Sequence, residues 1–191
     1  MKGIDVCSKN GEINWNSVKS AGIDCVYIMA SKGEDFVDPN LEEYYKEAGK
    51  KGFLVGFYHY LTGLSEPEHQ AEKFYEMIKN KRNDMCPCLH LEYSWQDPEF
   101  YMEYVLRIIE RFKALSRMTI SIYASPRFVD KELYSWLKIY PLWSAETGVD
   151  KPSSNLVWGN NYAGHQYSKK GRVSGICGNV YMNRFKDEIL I

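Results

Sequence analysis

Short apolar runs alternate with longer amphipathic stretches along the first two thirds of the chain. GIDVC (3–7) and DCVYIMA (24–30) are brief, β-branched and apolar, the pattern of buried strands. NLEEYYKEAGKK (40–51) reads as a helix and is followed by Gly52, suited to the left-handed position after a helix end. FLVGFYHY (53–60) is a third strand, and Ser65-Glu66-Pro67-Glu68 has the form of a capping box that opens a helix to about residue 80. In CPCLHLEYSW (86–95), Cys86, Cys88, His90 and Glu92 occupy every second position, with Pro87, Leu89 and Leu91 between them. Alternate side chains of a strand point to opposite faces, so 86–92 reads as a fourth strand with its ionisable groups on one face. Asp97-Pro98 starts a long helix with Phe100, Tyr104, Ile108, Phe112 and Leu115 as its core-facing stripe. MTISIYAS (118–125) is a fifth strand, and Ser125-Pro126 begins a short helix. PLWSA (141–145), AGHQYS (163–168) and NVYMNRF (179–185) are strand candidates in a tail rich in Gly, Asn and Tyr.

Strands alternating with helices imply parallel βα units. The 191 residues suit one domain spanning 1–191. About eight strands, with helices mainly in the first two thirds, predict an α/β fold: an irregular TIM-like (β/α) barrel. Chemistry in such barrels sits at the carboxyl edge of the strands. That rule singles out the strand-end residues Asp5, Ser31, Tyr58, Tyr60, Glu92, Tyr123 and Trp143.

Aromatic residues make up 15% of the chain, including 15 Tyr, so either an aromatic core or an aromatic-lined cleft is expected. A net charge of −1 without a basic block argues against nucleic acid as a partner. No stretch approaches the ~20 apolar residues that span a bilayer, so membrane insertion is not expected. The first residues, MKGIDVCSKNGEINW, contain no apolar core of a signal peptide. Synthesis in the cytoplasm is therefore expected, with a phage-type lysis system as one route outside. Five cysteines at irregular spacing suggest mostly reduced thiols, with one disulfide open. Cys86, Cys88 and His90 offer soft metal ligands or, as favoured here, filling for the barrel interior. No metal or cofactor is expected, and the chain is expected to be a monomer.

These segments, taken in order, resemble the family 25 glycoside hydrolases, lysozymes that cut between N-acetylmuramic acid and N-acetylglucosamine in peptidoglycan. GIDV (3–6) and NGEINWNSVKSAG (10–22) look like the family's opening strand and the element behind it. VYIMASKGEDFVDPN (26–40) is similar to the next strand, its threonine-glutamate-glycine loop and the Asp-Pro turn. AGKKGFLVGFYHY (48–60) is similar to the helix end, strand and Tyr-His-Phe signature that follow, and LHLEYS (89–94) falls at the Asp-x-Glu strand. ISIYAS, PLWSA, HQYS and VYMNRF follow in the family's order.

The resemblance assigns roles residue by residue. Asp5 matches a family acid, and Glu92 matches the glutamate taken as general acid. His90 stands at the aspartate of Asp-x-Glu, Tyr181 at an aspartate before Leu-Asn, and Lys32 at the glutamate of the loop. Tyr58, Tyr60, Tyr123, Trp143, Gln166 and Tyr167 match substrate-facing positions, with Lys32 as a further contact to an acidic wall polymer. The implied substrate is the glycan strand of peptidoglycan, reached at the bacterial cell wall.

Glycoside cleavage normally uses two carboxyl groups, and an acetamido group of the substrate can replace one of them as nucleophile. Glu92 keeps the acid role available. A neutral His90 offers no fixed negative charge, and losing one preorganised electrostatic partner costs on the order of 10²–10³ in rate. Two readings follow: a muramidase of weak or altered activity, or an inactive pseudoenzyme that binds glycan or a protein through the retained cleft.

Overall fold

The computed structural model describes residues 1–92 and 97–191. Its strands are β1 (Lys2–Val6), β2 (Cys25–Lys32), β3 (Phe36–Val37), β4 (Leu54–Tyr60), β5 (Cys88–His90), β6 (Ser121–Ala124), β7 (Leu142–Ala145), β8 (Gly164–Gly171) and β9 (Val180–Phe185). Its α-helices are α1 (Trp15–Ser20), α2 (Leu41–Lys50), α3 (Pro67–Ile78), α4 (Pro98–Ser116) and α5 (Pro126–Glu132). β1, β2, β4, β5, β6, β7 and β8 run parallel, each bonded to the next. β9 runs antiparallel to both β8 and β1, and so closes an eight-stranded barrel. The short β3 folds back on β2 outside the ring. The irregular α/β barrel expected from the strand–helix rhythm is the fold that forms.

The strands are buried on both faces, and each face has its own chemistry. Val26, Ile28, Val55, Phe57, Leu89 and Ile122 face the helices and join the large outer core. Their neighbours Cys25, Tyr27, Tyr58, Cys88 and Tyr123, with Trp143 and Phe185, fill the lumen. Tyr27 stacks on Trp143 with ring centroids 4.6 Å apart, and Phe185 lies 5.1 Å from Trp143. Rings this large need bare backbone opposite them. A Cβ on Gly56 would come within 2.5 Å of the Tyr27 ring, and one on Gly164 within 2.6 Å of Phe185. The aromatic surplus therefore packs the barrel, and part of it reaches the groove described below.

Three local expectations change. The fourth strand is shorter than 86–92: only Cys88–His90 pairs, because Pro87 has no N–H for a ladder. Glu92 follows the strand, and Tyr93 and Ser94 of the same motif lie outside the described residues. The capping box at Ser65 does not form; α3 begins at Pro67 behind Glu66, and the Ser65 carbonyl accepts from the Tyr104 hydroxyl instead. In α4 the buried line runs through Tyr101, Val105, Ile108 and Phe112, while Phe100 is 63% exposed. Asp97 caps that helix by accepting from the Glu99 N–H at 3.1 Å, which puts the first turn's apolar face one residue later than the sequence stripe. Among the described residues, no helix is long and apolar enough to cross a membrane.

Candidate functional site

The carboxyl ends of the parallel strands open into one groove of about 980 Å³. Because β9 is antiparallel, its beginning rather than its end reaches the same rim, and this brings Tyr181 opposite Asp5. Asp5, Lys32, Tyr58, Tyr60, His90, Glu92, Tyr123, Lys169 and Tyr181 all line this groove. Seven different strands supply them, with Glu92 just beyond β5.

Asp5 is 5% exposed and clamped from below. Gln166 Nε2 donates to its Oδ1 at 3.0 Å, and Asn183 Nδ2 donates to the same oxygen at 2.8 Å. Asn183 sits diagonally from Asp5 across the β1–β9 pair, within reach for a side-chain amide. Both donors meet Oδ1, which leaves Oδ2 for the groove. Burial raises the Asp5 carboxyl from 3.8 to about 6, against the lowering effect of the two amides and with a smaller upward push from the Glu92 charge.

The clamp continues to the second acid. Gln166 Oε1 lies 2.9 Å from the Tyr123 hydroxyl, and that hydroxyl lies 3.1 Å from Glu92 Oε1. An unbroken chain of contacts therefore runs Asp5–Gln166–Tyr123–Glu92. On its other side Glu92 Oε1 is 3.7 Å from the Lys169 ammonium, which also lies 5.8 Å from the centre of the Tyr181 ring.

His90 is 5% exposed and held between two parallel rings, Tyr123 at 3.9 Å and Tyr58 at 4.2 Å. Its Nε2 is buried without a hydrogen-bond partner among the described residues. Burial pushes its pKa well below the usual histidine value, aided by the charges of His59 and Lys169. The side chain at this position is a neutral, stacked ring.

The other sequence-derived positions divide into three groups. Tyr60 lines the groove, with the Lys32 ammonium 5.1 Å from its ring centre, and Tyr181 stands at the rim, 42% exposed. Gln166 is fully buried and reaches Asp5 and Tyr123 rather than the groove. Trp143 and Tyr167 do not line the groove. Trp143 is fully buried in the lumen, where it forms part of the floor under His90 at 5.3 Å. Tyr167, one residue after the inward Gln166, points the other way, and Arg184 lies 4.5 Å from its ring centre.

Asn183 and Lys169 did not stand out in the sequence. Asn183 follows Tyr181 by two residues on one strand, the spacing that puts both on the barrel's inner face. No comparable local pattern marks Lys169, because a lysine near a strand end is an ordinary solvated charge.

The sequence pattern described as Glycosyl hydrolases family 25 matches residues 4–176. The autolytic lysozyme of Clostridium acetobutylicum is 33% identical over 192 residues, covering all of this chain and 57% of that protein. The chain thus spans little more than half the length of that relative. Lysozyme M1 of Streptomyces globisporus is 29% identical over 203 residues, covering 97% of this chain and 67% of that one. The crystal structure of the bacterial lysozyme from Streptomyces coelicolor superposes with a TM-score of 0.88 at 26% identity, covering 97% of this chain and 92% of that one. With nearly the whole barrel matched, this chain belongs to glycosyl hydrolase family 25.

Proposed function

We propose that this chain is a peptidoglycan-directed glycoside hydrolase of the muramidase type, acting at the bacterial cell wall. One observation carries the reading: Asp5 and Glu92 line the same groove and are tied together by the buried Gln166 and the hydroxyl of Tyr123. Family membership and the names of the two lysozyme relatives supply the substrate class.

Glu92 acts as general acid. Its proton passes to the glycosidic oxygen as the C1–O bond breaks and the bonding pair goes to that oxygen. The carbonyl oxygen of the sugar's own acetamido group donates a pair to C1 and forms a cyclic intermediate. Asp5 Oδ2 receives the acetamido N–H and steadies the positive charge that develops. Water then adds to C1 as the intermediate ring's C1–O bond breaks and its pair returns to the acetamido oxygen, and the proton of the water passes to Glu92. Tyr58, Tyr60 and Tyr181 offer ring faces to the sugars, and Lys32 offers a charge to an acidic substituent. With a neutral ring at position 90, the rate is expected to be about 10²–10³ below that of a site with a carboxylate there.

A second reading, a glycan-binding pseudoenzyme, is favoured by one feature: the stacked, uncharged His90 fills space beside the acids without supplying charge. Clearing of a purified cell-wall suspension separates the two. Clearing that disappears in Glu92→Gln supports hydrolysis. Saturable binding with no clearing by the unaltered protein would establish the binder and overturn the enzyme.

A further inference from the structure

Tyr123 has one hydroxyl proton and faces two oxygens, Gln166 Oε1 at 2.9 Å and Glu92 Oε1 at 3.1 Å. The orientation of the Gln166 amide is not free. Its NH₂ must face the Asp5 carboxylate, since the reverse would set two acceptors against each other, so its carbonyl oxygen must face Tyr123. If Tyr123 donates to Gln166, its own oxygen presents a lone pair to Glu92. That contact is a hydrogen bond only when Glu92 carries the proton. If Tyr123 donates to Glu92, the buried Gln166 carbonyl loses its partner.

We infer that Tyr123 is a reorienting donor that serves Glu92 through the proton transfer, with Gln166 as its alternative acceptor. This rests on the hydrolase reading above. Before the transfer the hydroxyl donates to Gln166 and accepts from the single Glu92 O–H, which swings from it to the leaving oxygen in the acid step. As Glu92 gives its proton to the leaving oxygen, the Tyr123 O–H turns and donates to the new carboxylate. No net proton passes through Tyr123, so charge and atoms balance within the acid step alone. The turn supplies a donor to Glu92 only after charge develops there, which stabilises the transition state more than the ground state. Two features fix the pivot. The Tyr123 ring is stacked on His90 at 3.9 Å, and its edge meets Trp143 at 5.1 Å, so rotation of the hydroxyl is the freedom that remains. Tyr123 and Gln166 are thus positioning residues, acting through Glu92.

The other groups facing Glu92 are Asp5 from β1, Tyr60 from β4, Lys169 from β8 and Tyr181 from β9, besides His90 on its own segment. Lys169 and Asp5 bring charges of opposite sign to this rim. Neither changes partner when the Tyr123 hydroxyl turns.

The test compares kcat, KM and the pH–rate profile on soluble wall fragments for the unaltered protein, Glu92→Gln, Tyr123→Phe and Gln166→Met. Tyr123→Phe keeps the stacked ring. It is expected to lower kcat about 10²-fold with KM nearly unchanged. Gln166→Met removes the alternative acceptor and leaves the hydroxyl donating to Glu92 throughout. The alkaline limb of the profile is then expected to move to lower pH, an effect that a structural role alone does not produce. Gln166→Met also retains Asn183 on Asp5, and its folding is checked by thermal unfolding. If Tyr123→Phe raises only KM, or the limb of Gln166→Met stays in place while Glu92→Gln is dead, the turning hydroxyl is wrong and the hydrolase reading stands. If Glu92→Gln keeps full activity, Glu92 is not the acid and this inference falls while hydrolysis stands; if the unaltered protein turns over nothing, the hydrolase reading falls and this inference falls with it.

Discussion

The indole N–H of Trp143 donates to Asn183 Oδ1 at 3.0 Å, inside the barrel and out of reach of any sugar. This bond settles which way the Asn183 amide points. With its oxygen taken by the indole, its NH₂ faces Asp5 Oδ1 at 2.8 Å. A tryptophan that touches no substrate thereby sets the partner of an acid that lines the groove.

Trp143→Phe removes that constraint and leaves space in the lumen. The expected result is a stability loss of about 2–4 kcal/mol from the lost contacts and cavity. A drop in kcat of roughly tenfold is expected as well, because the Asn183 amide is free to turn and Asp5 loses a fixed donor. Chemical denaturation together with kcat and KM on wall fragments checks both. Unchanged kcat in a folded variant would remove Trp143 from the mechanism.

Asp5→Asn is expected to trade activity for stability. Burial holds the Asp5 carboxyl up at about 6 against its ordinary 3.8. Between those values the folded chain keeps a proton that the unfolded chain has lost, so stability falls as pH rises through that window. Above it, the ionised Asp5 costs about 3 kcal/mol. Asparagine can still accept from Gln166 and Asn183 without carrying the charge. At neutral pH the variant should therefore unfold at higher denaturant than the unaltered protein, with the advantage gone below pH about 4. Its clearing activity should be lost.

His59 has the opposite sign. Its Nδ1 meets Ser31 Oγ at 2.9 Å and its Nε2 meets Gln70 Oε1 at 3.1 Å. Gln70 Oε1 already accepts from the Thr62 N–H, so Nε2 is the protonated nitrogen and Ser31 donates to Nδ1. Burial lowers the pKa from 6.5 to about 4, with the Gln70 bond a smaller opposing effect. The unfolded chain binds a proton in this window that the folded chain refuses, so stability is lost as pH falls from about 6.5 towards 4, by about 3 kcal/mol in full. Asp5 and His59 therefore offset each other between about pH 4 and 6. Asp5→Asn should unmask the histidine slope, read as a steeper acid loss in denaturation midpoints than in the unaltered protein. Equal slopes would contradict the pairing of these two groups.

His90→Asp with Tyr181→Asp tests the empty-charge idea directly. The paired change removes the stack between Tyr58 and Tyr123 and is expected to lower stability by about 1–3 kcal/mol. It should also raise wall clearing by about 10²-fold, by returning carboxylates beside Glu92 and Asp5. Lost stability with no gain in clearing would show that the groove has diverged beyond those two positions.

Much of the barrel was legible because each strand is a short β-branched run and each parallel connection needs a helix. The alternation within 86–92 correctly separated inward Cys88 and His90 from outward Leu89. The phase of α4 was not legible, since Phe100 and Tyr101 are both aromatic and only the cap at Asp97 decides which turns inward. The acids Asp5 and Glu92 were visible as strand-end carboxylates. Their support was not: Gln166 and Asn183 lie 161 and 178 residues from Asp5, and a hydrogen bond between such distant positions leaves no mark on local periodicity. Trp143 looked like a sugar platform because a strand-end indole suits one, yet the lumen needed its volume between Tyr27 and Phe185.

The antiparallel last strand has a temporal consequence. β2, one neighbour of β1, follows it closely in the chain, but β9, the neighbour that closes the ring, and the Asn183 partner of Asp5 are made well over a hundred residues later. Until then the first strand has an open edge, and the carboxylate has no clamp. Such long-range closure is slow compared with forming the helices. A chain cut short before β9 would hold both Asp5 and Glu92 and still lack the Asn183 bond and the closed wall that fix Asp5 at the rim.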